Sequence, residues 1–359
     1  MTVEQSRVGA MGARRIIVGD DLGRRFQRVT LLEASYVLPL RWTNDDGFSE
    51  MTSYLQWLST QLEVIVVDGS PEEVFQHHAS EWSATVKHIR PDADLHYLNG
   101  KVNGVTTGVR AAGYEKVIVA DDDVRYDAAS LRRMVALLST HDLVIGQSYF
   151  DPTPWQARWD TARILLNRAF GVHFPATLGL RRSLFLAIGG YDGDVLFENL
   201  ELIRSLEIAG AKKAAPGDLF VRHIAATPRA FWSQRIRQAY DDFALPGRMI
   251  LWLTIGPALA RFIARRQLKS LGAAAGAAVV VAEVGRRRAG GARVYPGGAS
   301  LYAPLWLTER ALCAWAALSY RVVKGGIPYR SGVIARAATP PKQLRRRLAG
   351  PVEYRHRGP

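Results

Sequence analysis

The sequence predicts an α/β fold in which a mainly parallel sheet is flanked by helices and followed by a basic, apolar helical C-terminal region. Strand-like and helix-like segments alternate between Val29 and Phe150, a pattern typical of parallel sheets covered on both faces. Aspartates stand at the ends of two predicted strands, and the last third of the chain is both basic and apolar. These three observations also predict where a site should lie.

The elements follow the periods of strands and helices. The predicted strands cover residues 29–35, 62–70, 116–120 and 142–150. The predicted helices cover residues 72–82, 102–114, 128–139, 154–170 and 197–210. Ligands of open parallel sheets bind beyond the carboxyl ends of the strands. Asp68 and the cluster Asp121–Asp123 stand at such ends, so we expect a binding site there.

The positive charge is confined to the last third of the chain. The net charge is +14, yet residues 1–242 carry 27 Lys and Arg against 30 Asp and Glu, whereas residues 243–359 carry 20 against 3. A local anionic partner is therefore expected, either nucleic acid or a membrane surface. The basic segment carries short apolar helices and no recognisable nucleic-acid module, which favours an anionic membrane surface and no nucleic acid.

Three uncharged stretches in this region, at 249–260, 270–282 and 311–320, are 12, 13 and 10 residues long. A spanning helix needs about 20 apolar residues, so we expect interfacial or re-entrant helices on the bilayer. A helical cap on a soluble domain is the alternative.

The N-terminus lacks the apolar run of a signal peptide, and the single Cys313 excludes an internal disulfide. We expect a peripheral or monotopic protein at the cytoplasmic face of the cell membrane.

Three consecutive aspartates, Asp121, Asp122 and Asp123, follow an apolar strand-like run. Like charges this close repel one another unless a cation offsets them. Carboxylates two apart in an extended segment point to the same side, and oxygen ligands suit Mg²⁺ or Mn²⁺ carrying a diphosphate. The alternative is a solvated turn whose aspartate caps the helix that begins near Ala128.

Six motifs in order make the chain resemble the family 2 glycosyltransferases of the GT-A fold, over roughly residues 28–245. They are EVIVVDGSP, NGKVNGVTTGVRAA, VIVADDDV, GLRRSLFLAIGGYD, FENLELIRSLEIAGAK and FWSQRIRQAYDD. The resemblance implies a Rossmann-like GT-A domain that transfers a sugar from a nucleotide donor. We expect an N-terminal extension (1–27), the GT-A domain (28–242), a membrane-associated helical region (243–335) and a basic tail (336–359).

The resemblance also implies roles for residues of the first three motifs. Asp68 would hold the nucleotide base, and Lys101 would lie near the diphosphate. Asp121 would face the ribose with Asp122 beside it in the donor site. Asp123 would bind the Mg²⁺ or Mn²⁺ ion, with Asp121 contributing to the same metal site.

The later motifs complete the implied donor site. Gln234, Arg235 and Arg237 match a glutamine–arginine motif, and guanidinium forks suit a departing diphosphate. His223 falls where family members often place a histidine near the metal, although an ordinary partly buried histidine is the alternative. The aromatic ending of the motif is altered, which favours a single transfer over polymer synthesis.

The predicted catalytic helix departs from the family at its start. It opens with Glu198 and Asn199, where the family normally has Glu–Asp with the aspartate as general base. Asparagine cannot accept a proton at neutral pH. The base is then Glu198, which we expect, or Glu201 three residues on, unless the acceptor is already ionised, as a lipid phosphate would be.

These features predict a metal-dependent, inverting transfer from a nucleotide-diphosphate sugar, with uridine the expected base, to a lipid or glycan acceptor of the cell envelope. Two other functions stay open. A catalytically impaired nucleotide-sugar-binding protein is suggested by Asn199. A nucleotidyltransferase would also use aspartate-bound metal, but the first strand lacks a glycine-rich basic loop.

Overall fold

The computed structural model describes residues 31–171, 176–329 and 332–350. The expected N-terminal extension (1–27) and the last residues of the basic tail (351–359) lie outside them. The strands are β1 Ser35–Leu40, β2 Glu63–Asp68, β3 Lys87–Ile89, β4 Lys116–Ala120, β5 Val124–Arg125, β6 Leu143–Ile145, β7 Gln147–Phe150, β8 Thr177–Arg181, β9 Lys213–Ala214, β10 Phe220–His223, β11 Ile327–Tyr329 and β12 Gly332–Ile334.

Helices alternate with these strands and then dominate the C-terminal third. They are α1 Phe48–Ser59, α2 Glu72–Trp82, α3 Gly100–Ala111, α4 Ala128–Leu137, α5 Trp155–Ala169, α6 Arg182–Ala187, α7 Glu198–Ile208, α8 Pro228–Tyr240, α9 Pro246–Ala264, α10 Leu268–Arg287, α11 Ala303–Lys324 and α12 Pro341–Ala349. The predicted helix at 72–82 matches α2, and the other four predicted helices agree to within a few residues.

The central sheet has the strand order β3-β2-β1-β4-β8-β6-β9. The first four strands are parallel, and β8 is antiparallel to both of its neighbours. The prediction of a mainly parallel sheet flanked by helices is confirmed. Because β1 lies between β2 and β4, Asp68 and the residues after Ala120 reach the same edge of the sheet.

Alternate residues of each strand supply the two apolar layers on either side of the sheet, as the period of two requires. Tyr36 and Leu38 face one layer, whereas Val37 and Val119 face the other. All four are almost wholly buried. The central strands are therefore held on both faces, and their carboxyl ends form a rigid base for a site.

A second, three-stranded sheet has the order β5-β10-β7. Its β5 pairs antiparallel with β10, so that Val124 lies opposite His223. The amide of Ile224 also donates to the carbonyl of Asp123 at 2.8 Å. This pairing brings His223, a hundred residues later in the chain, beside the aspartate cluster.

Two predicted strands are wrong in detail. The first strand was predicted at 29–35, of which 29 and 30 lie outside the described residues; residues 31–34 are not in a strand, and β1 is Ser35–Leu40, although it contains Pro39. Its pairing with β4 stops at Val37, so the proline lies where the strand has a single neighbour, which proline tolerates. The predicted strand 142–150 is divided at Gly146, because β6 joins the central sheet and β7 joins the second one.

The C-terminal helices form a core of their own, in which Trp252 and Trp306 are buried. Helix α5 packs against α10 and α11, so a helix expected in the GT-A domain belongs by packing to this helical region.

The expectation that no segment is long enough to span a bilayer is wrong. Helix α9 and the segment Leu268–Arg293 are long and apolar enough to cross a membrane by length and composition, because the helices continue through the flanking charged residues.

Candidate active site

A cavity of about 340 Å³ opens between the carboxyl edge of the sheet, helices α7 and α8, and the helical region. Its walls are strongly charged. The cationic side chains are Lys101, Arg163, Arg237, Arg248 and Arg310, and the acidic ones are Asp121, Glu198, Asp241 and Asp242. Cations and carboxylates of this kind suit a polyanionic ligand with its counter-ion.

Lys101 joins three predicted site residues at the head of the cavity. Its Nζ lies 2.5 Å from Asp121 Oδ1 and 2.8 Å from Glu198 Oε1, and it donates to Asn199 Oδ1 at 3.2 Å. Burial would lower the pKa of Lys101, but Asp121 and Glu198 outweigh it and raise that pKa. Burial also raises the pKa of Asp121 to about 6, against the opposing charge of Lys101.

Local sequence explains why Lys101 reaches this point. Asn99 caps α3 by accepting from the Lys101 amide at 3.1 Å. Helix α3 then lies directly on β1, since a Cβ on Gly104 would approach the Pro39 Cβ to 2.8 Å and one on Gly108 would overlap Val37. The two glycines inside this helix are therefore needed for its close approach to the sheet.

Asp122 points away from this group. Trp42 Nε1 donates to Asp122 Oδ2 at 2.7 Å, and the Trp42 amide donates to Ser70 Oγ at 2.9 Å. Burial raises the pKa of Asp122, and the hydrogen bond from Trp42 opposes that effect. Trp42 thus connects the loops that follow β1, β2 and β4.

Asp123 and His223 carry the donor atoms that fit a divalent cation. Asp123 Oδ2 lies 3.7 Å from His223 Nδ1. Asp123 Oδ1 and His223 Nε2 are buried without a hydrogen-bond partner among the described residues, which is rare for buried polar atoms. Burial would raise the pKa of Asp123, but His223 holds it below its ordinary value. Carboxylate oxygen and imidazole nitrogen are both metal ligands.

Asp68 is wholly buried and does not line the cavity. Its Oδ2 accepts from His78 Nδ1 at 2.6 Å and from His88 Nε2 at 3.1 Å, and its Oδ1 accepts from the Ser70 amide at 2.8 Å. Burial would raise the pKa of Asp68, but these donors hold it well below its ordinary value. With its oxygens already engaged, the carboxylate is not presented to a nucleotide base.

The two histidines were not among the predicted site residues. One ligand atom from each of Asp68, His78 and His88 lies within 4.8 Å of the others, the only such group found among the described residues. The adjacent His77–His78 pair in α2 was the signal in the sequence, but its partner His88 lies on β3 and is brought close only by strand pairing.

Glu201 is not brought to the cavity. Its side chain is fully buried, and Oε2 accepts from the Thr339 amide at 2.7 Å. Burial raises the pKa of Glu201, and the hydrogen bonds from Thr339 oppose this. Three residues rotate an α-helix by about 300°, so Glu198 and Glu201 lie on adjoining faces of α7 and only Glu198 faces the cavity.

The residues of the glutamine–arginine motif likewise differ in whether they face the cavity. Arg237 lines the cavity, whereas Arg235 is buried and binds Asp160 with both terminal nitrogens, at 2.7 and 3.1 Å. Gln234 is also absent from the cavity lining. Arg235 therefore holds α8 against α5 and is not available to a diphosphate.

The wall that the helical region supplies was not predicted from the sequence. It consists of Arg163 of α5, Arg248 of α9 and Arg310 of α11, together with Asp241 and Asp242. Arg163 offered only a weak signal in the sequence, where it stands between Ala162 and Ile164.

Residues 52–193 match the family model described as glycosyl transferase family 2. No protein of curated function matches the sequence. The mannosyltransferase PcManGT from Pyrobaculum calidifontis, solved with GDP-Man and Mn²⁺, is 18% identical with a TM-score of 0.53, over 81% of this chain and 87% of that chain.

Two other solved structures are similar over a smaller part of the chain. Glucosyl-3-phosphoglycerate synthase from Mycobacterium tuberculosis, solved with Mn²⁺, UDP and phosphoglyceric acid, is 17% identical with a TM-score of 0.38, over 57% of this chain and 76% of that chain. Mannosyl-3-phosphoglycerate synthase from Rubrobacter xylanophilus is 14% identical with a TM-score of 0.38, over 57% and 71%.

The family match covers the strands and loops that carry Asp68, Lys101 and the aspartate cluster, and the similarity to the mannosyltransferase shows the fold over most of the chain. The chain therefore has the GT-A glycosyltransferase fold, and its residues 52–193 match glycosyl transferase family 2.

Proposed function

We propose that the protein transfers a sugar from a nucleotide-diphosphate donor to a lipid or glycan acceptor in a metal-dependent, inverting reaction. The group formed by Lys101, Asp121 and Glu198 carries this proposal, because it stands at the head of a charged cavity next to the Asp123–His223 pair. The Mn²⁺ and GDP-Man in the similar mannosyltransferase structure support a metal-bound nucleotide-sugar donor.

The donor diphosphate belongs at the carboxyl end of β4. Asp123 and His223 would hold Mg²⁺ or Mn²⁺, which would offset the charge of the diphosphate as the nucleotide leaves. Lys101 and Arg237 supply fixed cations in the cavity where negative charge develops on the leaving group. Asp121 holds Lys101 in place at 2.5 Å.

The nucleoside would lie near the loops that Trp42 connects. Asp68 supports this part of the site from below, because it binds the loop after β2 through the Ser70 amide and binds α2 and β3 through the two histidines. We assign it a positioning role and not a direct contact with the base. A uridine donor remains our expectation.

Glu198 is the carboxylate of α7 that is available to a hydroxyl acceptor. Asn199 beside it cannot take a proton, and Glu201 is bound to Thr339. The acceptor oxygen would attack the anomeric carbon on the face opposite to the diphosphate, which inverts the configuration. Closure of the cavity by the helical region would keep water from competing with the acceptor.

We also propose that the helical region associates with the cytoplasmic face of the membrane. Large apolar side chains are exposed along α9, α10 and α11: Ile250, Leu251, Ile263, Leu268, Val280, Val284, Leu312, Trp315, Val322 and Val323. Exposed apolar surface of this extent marks an interaction site. The 20 Lys and Arg of residues 243–359 favour anionic headgroups.

The proposal is tested by incubating the purified full chain with Mn²⁺ or Mg²⁺ and a panel of nucleotide sugars, and by measuring free nucleoside diphosphate. We expect metal-dependent release from one donor, lost in Asp123→Ala and retained in Glu81→Ala, which removes an exposed carboxylate of α2. Donor binding without turnover would indicate a binding protein instead. Release of pyrophosphate would indicate a nucleotidyltransferase.

A further inference from the structure

The wall of the cavity opposite the sheet is built from arginines of three different helices. Arg163, Arg248 and Arg310 come from α5, α9 and α11 and line the same 340 Å³ space. Arg163 Nε is buried without a hydrogen-bond partner among the described residues, as are Nε and Nη1 of Arg310. Three helices of the C-terminal core thus direct cations into the site.

Two of these arginines share one carboxylate, Asp242. Asp242 Oδ1 lies 3.2 Å from Arg248 Nε, and Asp242 Oδ2 lies 3.7 Å from Arg310 Nη1. Burial raises the pKa of the neighbouring Asp241 well above its ordinary value, and Glu198 and Asp242 add to that effect. Arg163 has no salt bridge among the described residues; burial lowers its pKa, which the charge of Asp160 opposes. Because Arg248 and Arg310 share Asp242, a further anion would stabilise this wall.

The proposed function assigns the donor diphosphate to Lys101, Arg237 and the Asp123–His223 pair at the sheet edge. This assignment leaves the arginine wall for a second anionic group, on the acceptor side. Guanidinium groups match the oxygens of a phosphate in paired hydrogen bonds. Two of the helices that carry these arginines, α9 and α11, also expose apolar side chains of the helical region.

We propose that Arg163, Arg248 and Arg310 bind the phosphate of a phosphomonoester acceptor, and that an oxygen of this phosphate is the nucleophile. This inference rests on the proposed function. The phosphate oxygen forms a bond to the anomeric carbon as the bond from that carbon to the donor diphosphate breaks. The electron pair of the broken bond leaves with the nucleoside diphosphate, and the product is a glycosyl phosphodiester.

This acceptor explains the departure at the start of α7. The second pKa of a phosphate monoester is about 6, so its oxygens are ionised at neutral pH and no proton has to be removed. Asn199 can then replace the aspartate that the family uses as base. Glu198 retains the task of holding Lys101, from which it lies 2.8 Å away.

A phosphomonoester can be a lipid phosphate or a soluble metabolite, and three probes separate these sources. The full chain, with Mn²⁺ and its donor, is given farnesyl phosphate, farnesol or phenyl phosphate, which has no hydroxyl group. We expect a glycosyl phosphodiester by mass spectrometry from farnesyl phosphate and at least about 100-fold slower transfer to farnesol, a loss of about 2.7 kcal/mol. Equal or faster reaction of phenyl phosphate would support a soluble phosphomonoester as the source.

Transfer to farnesol as fast as to farnesyl phosphate would overturn the inference and leave the proposed function intact. Absence of nucleotide release with every probe would overturn both. Arg163→Gln is expected to raise KM for the phosphate acceptor about tenfold or more, with KM for the donor unchanged. Arg158→Gln changes an exposed arginine of the same helix and is the matched control; an equal effect in both variants would overturn the assignment of Arg163.

Arg310→Lys provides a second variant that keeps the charge while it removes the planar fork. We expect KM for the phosphate acceptor to rise in this variant also, because lysine cannot form paired hydrogen bonds to phosphate. Melting temperatures of all three variants show whether each still folds. An unchanged acceptor KM in both folded Arg163→Gln and folded Arg310→Lys would overturn the proposal.

Discussion

Asp68 and Asp123 stand at the same edge of the central sheet, yet their surroundings are opposite. Asp68 is wholly buried and accepts hydrogen bonds from two histidines and a backbone amide. Asp123 leaves one buried oxygen without a partner among the described residues. An aspartate at a strand end therefore predicts a site in general terms only, and its neighbours decide whether it organises loops or binds a ligand.

The neighbouring strands account for the difference. Strand β3 pairs with β2 so that His88 lies opposite Val66, close to Asp68, and α2 adds His78 from above. Strand β4 has β1 and the antiparallel β8 as neighbours, and its C-terminal end receives the backbone of Ala176, which accepts from the Asp121 amide at 3.0 Å. Among the described residues, the only salt bridge of Asp123 is its 3.7 Å pair with His223.

The largest expected effect comes from Asp123→Asn. A metal contributes several kcal/mol of charge stabilisation, so kcat/KM in Mn²⁺ should fall at least about 100-fold, while the melting temperature should change little. Steady-state kinetics and Mn²⁺ titration calorimetry measure the two quantities. Unaltered Mn²⁺ affinity in this variant would show that the cation is held elsewhere.

Asp68→Asn should reduce stability more than activity, the opposite of Asp123→Asn. Removing one partner of a buried charge network costs about 3 kcal/mol, so we expect a clear drop in the free energy of unfolding and a smaller loss of kcat/KM than in Asp123→Asn. Urea denaturation gives the first value and kinetics the second. A stable Asp68→Asn protein with a large and selective rise in donor KM would instead support direct contact between Asp68 and the base.

The stability difference between wild type and Asp68→Asn should also depend on pH. The fold holds the pKa of Asp68 below its ordinary value of about 4, since the histidines and Ser70 outweigh the effect of burial. The resulting stabilisation is present above that ordinary value and is lost as the pH falls through the folded-state pKa. Melting curves between neutral and acid pH should show the difference narrowing only in acid. A constant difference would contradict this assignment.

Trp42→Phe should have the smallest effect. It keeps an aromatic ring beside His78 but removes the 2.7 Å hydrogen bond to Asp122, which is worth about 1–2 kcal/mol. We expect donor KM to rise several-fold with kcat nearly unchanged. Trp57→Phe, on the partly buried face of α1, is the control, and equal kinetics of the two variants would mean that the bridge between the loops does not position the donor.

Much of the site could be predicted from the sequence because it depends on strand ends and on ordered motifs. Asp121, Asp123, Lys101 and Glu198 were expected to share a site, and the structure brings all four to one end of the cavity or to its edge. Glu201 and Arg235 could not be placed correctly, because a helical side chain a few residues from a site residue can face the protein interior. Their partners, Thr339 and Asp160, are distant in sequence.

The sequence by itself determined the fold class, the aspartates that meet at one edge of the sheet, and the resemblance to a transferase family, since each depends on local periodicity or on motifs that are continuous in the chain. Only the tertiary structure decided that Asp68 is enclosed by histidines and that Arg163, Arg248 and Arg310 of the helical region form a wall of the cavity. The physical reason is that these contacts depend on which faces of separate helices and strands pack together, and no local pattern encodes that choice.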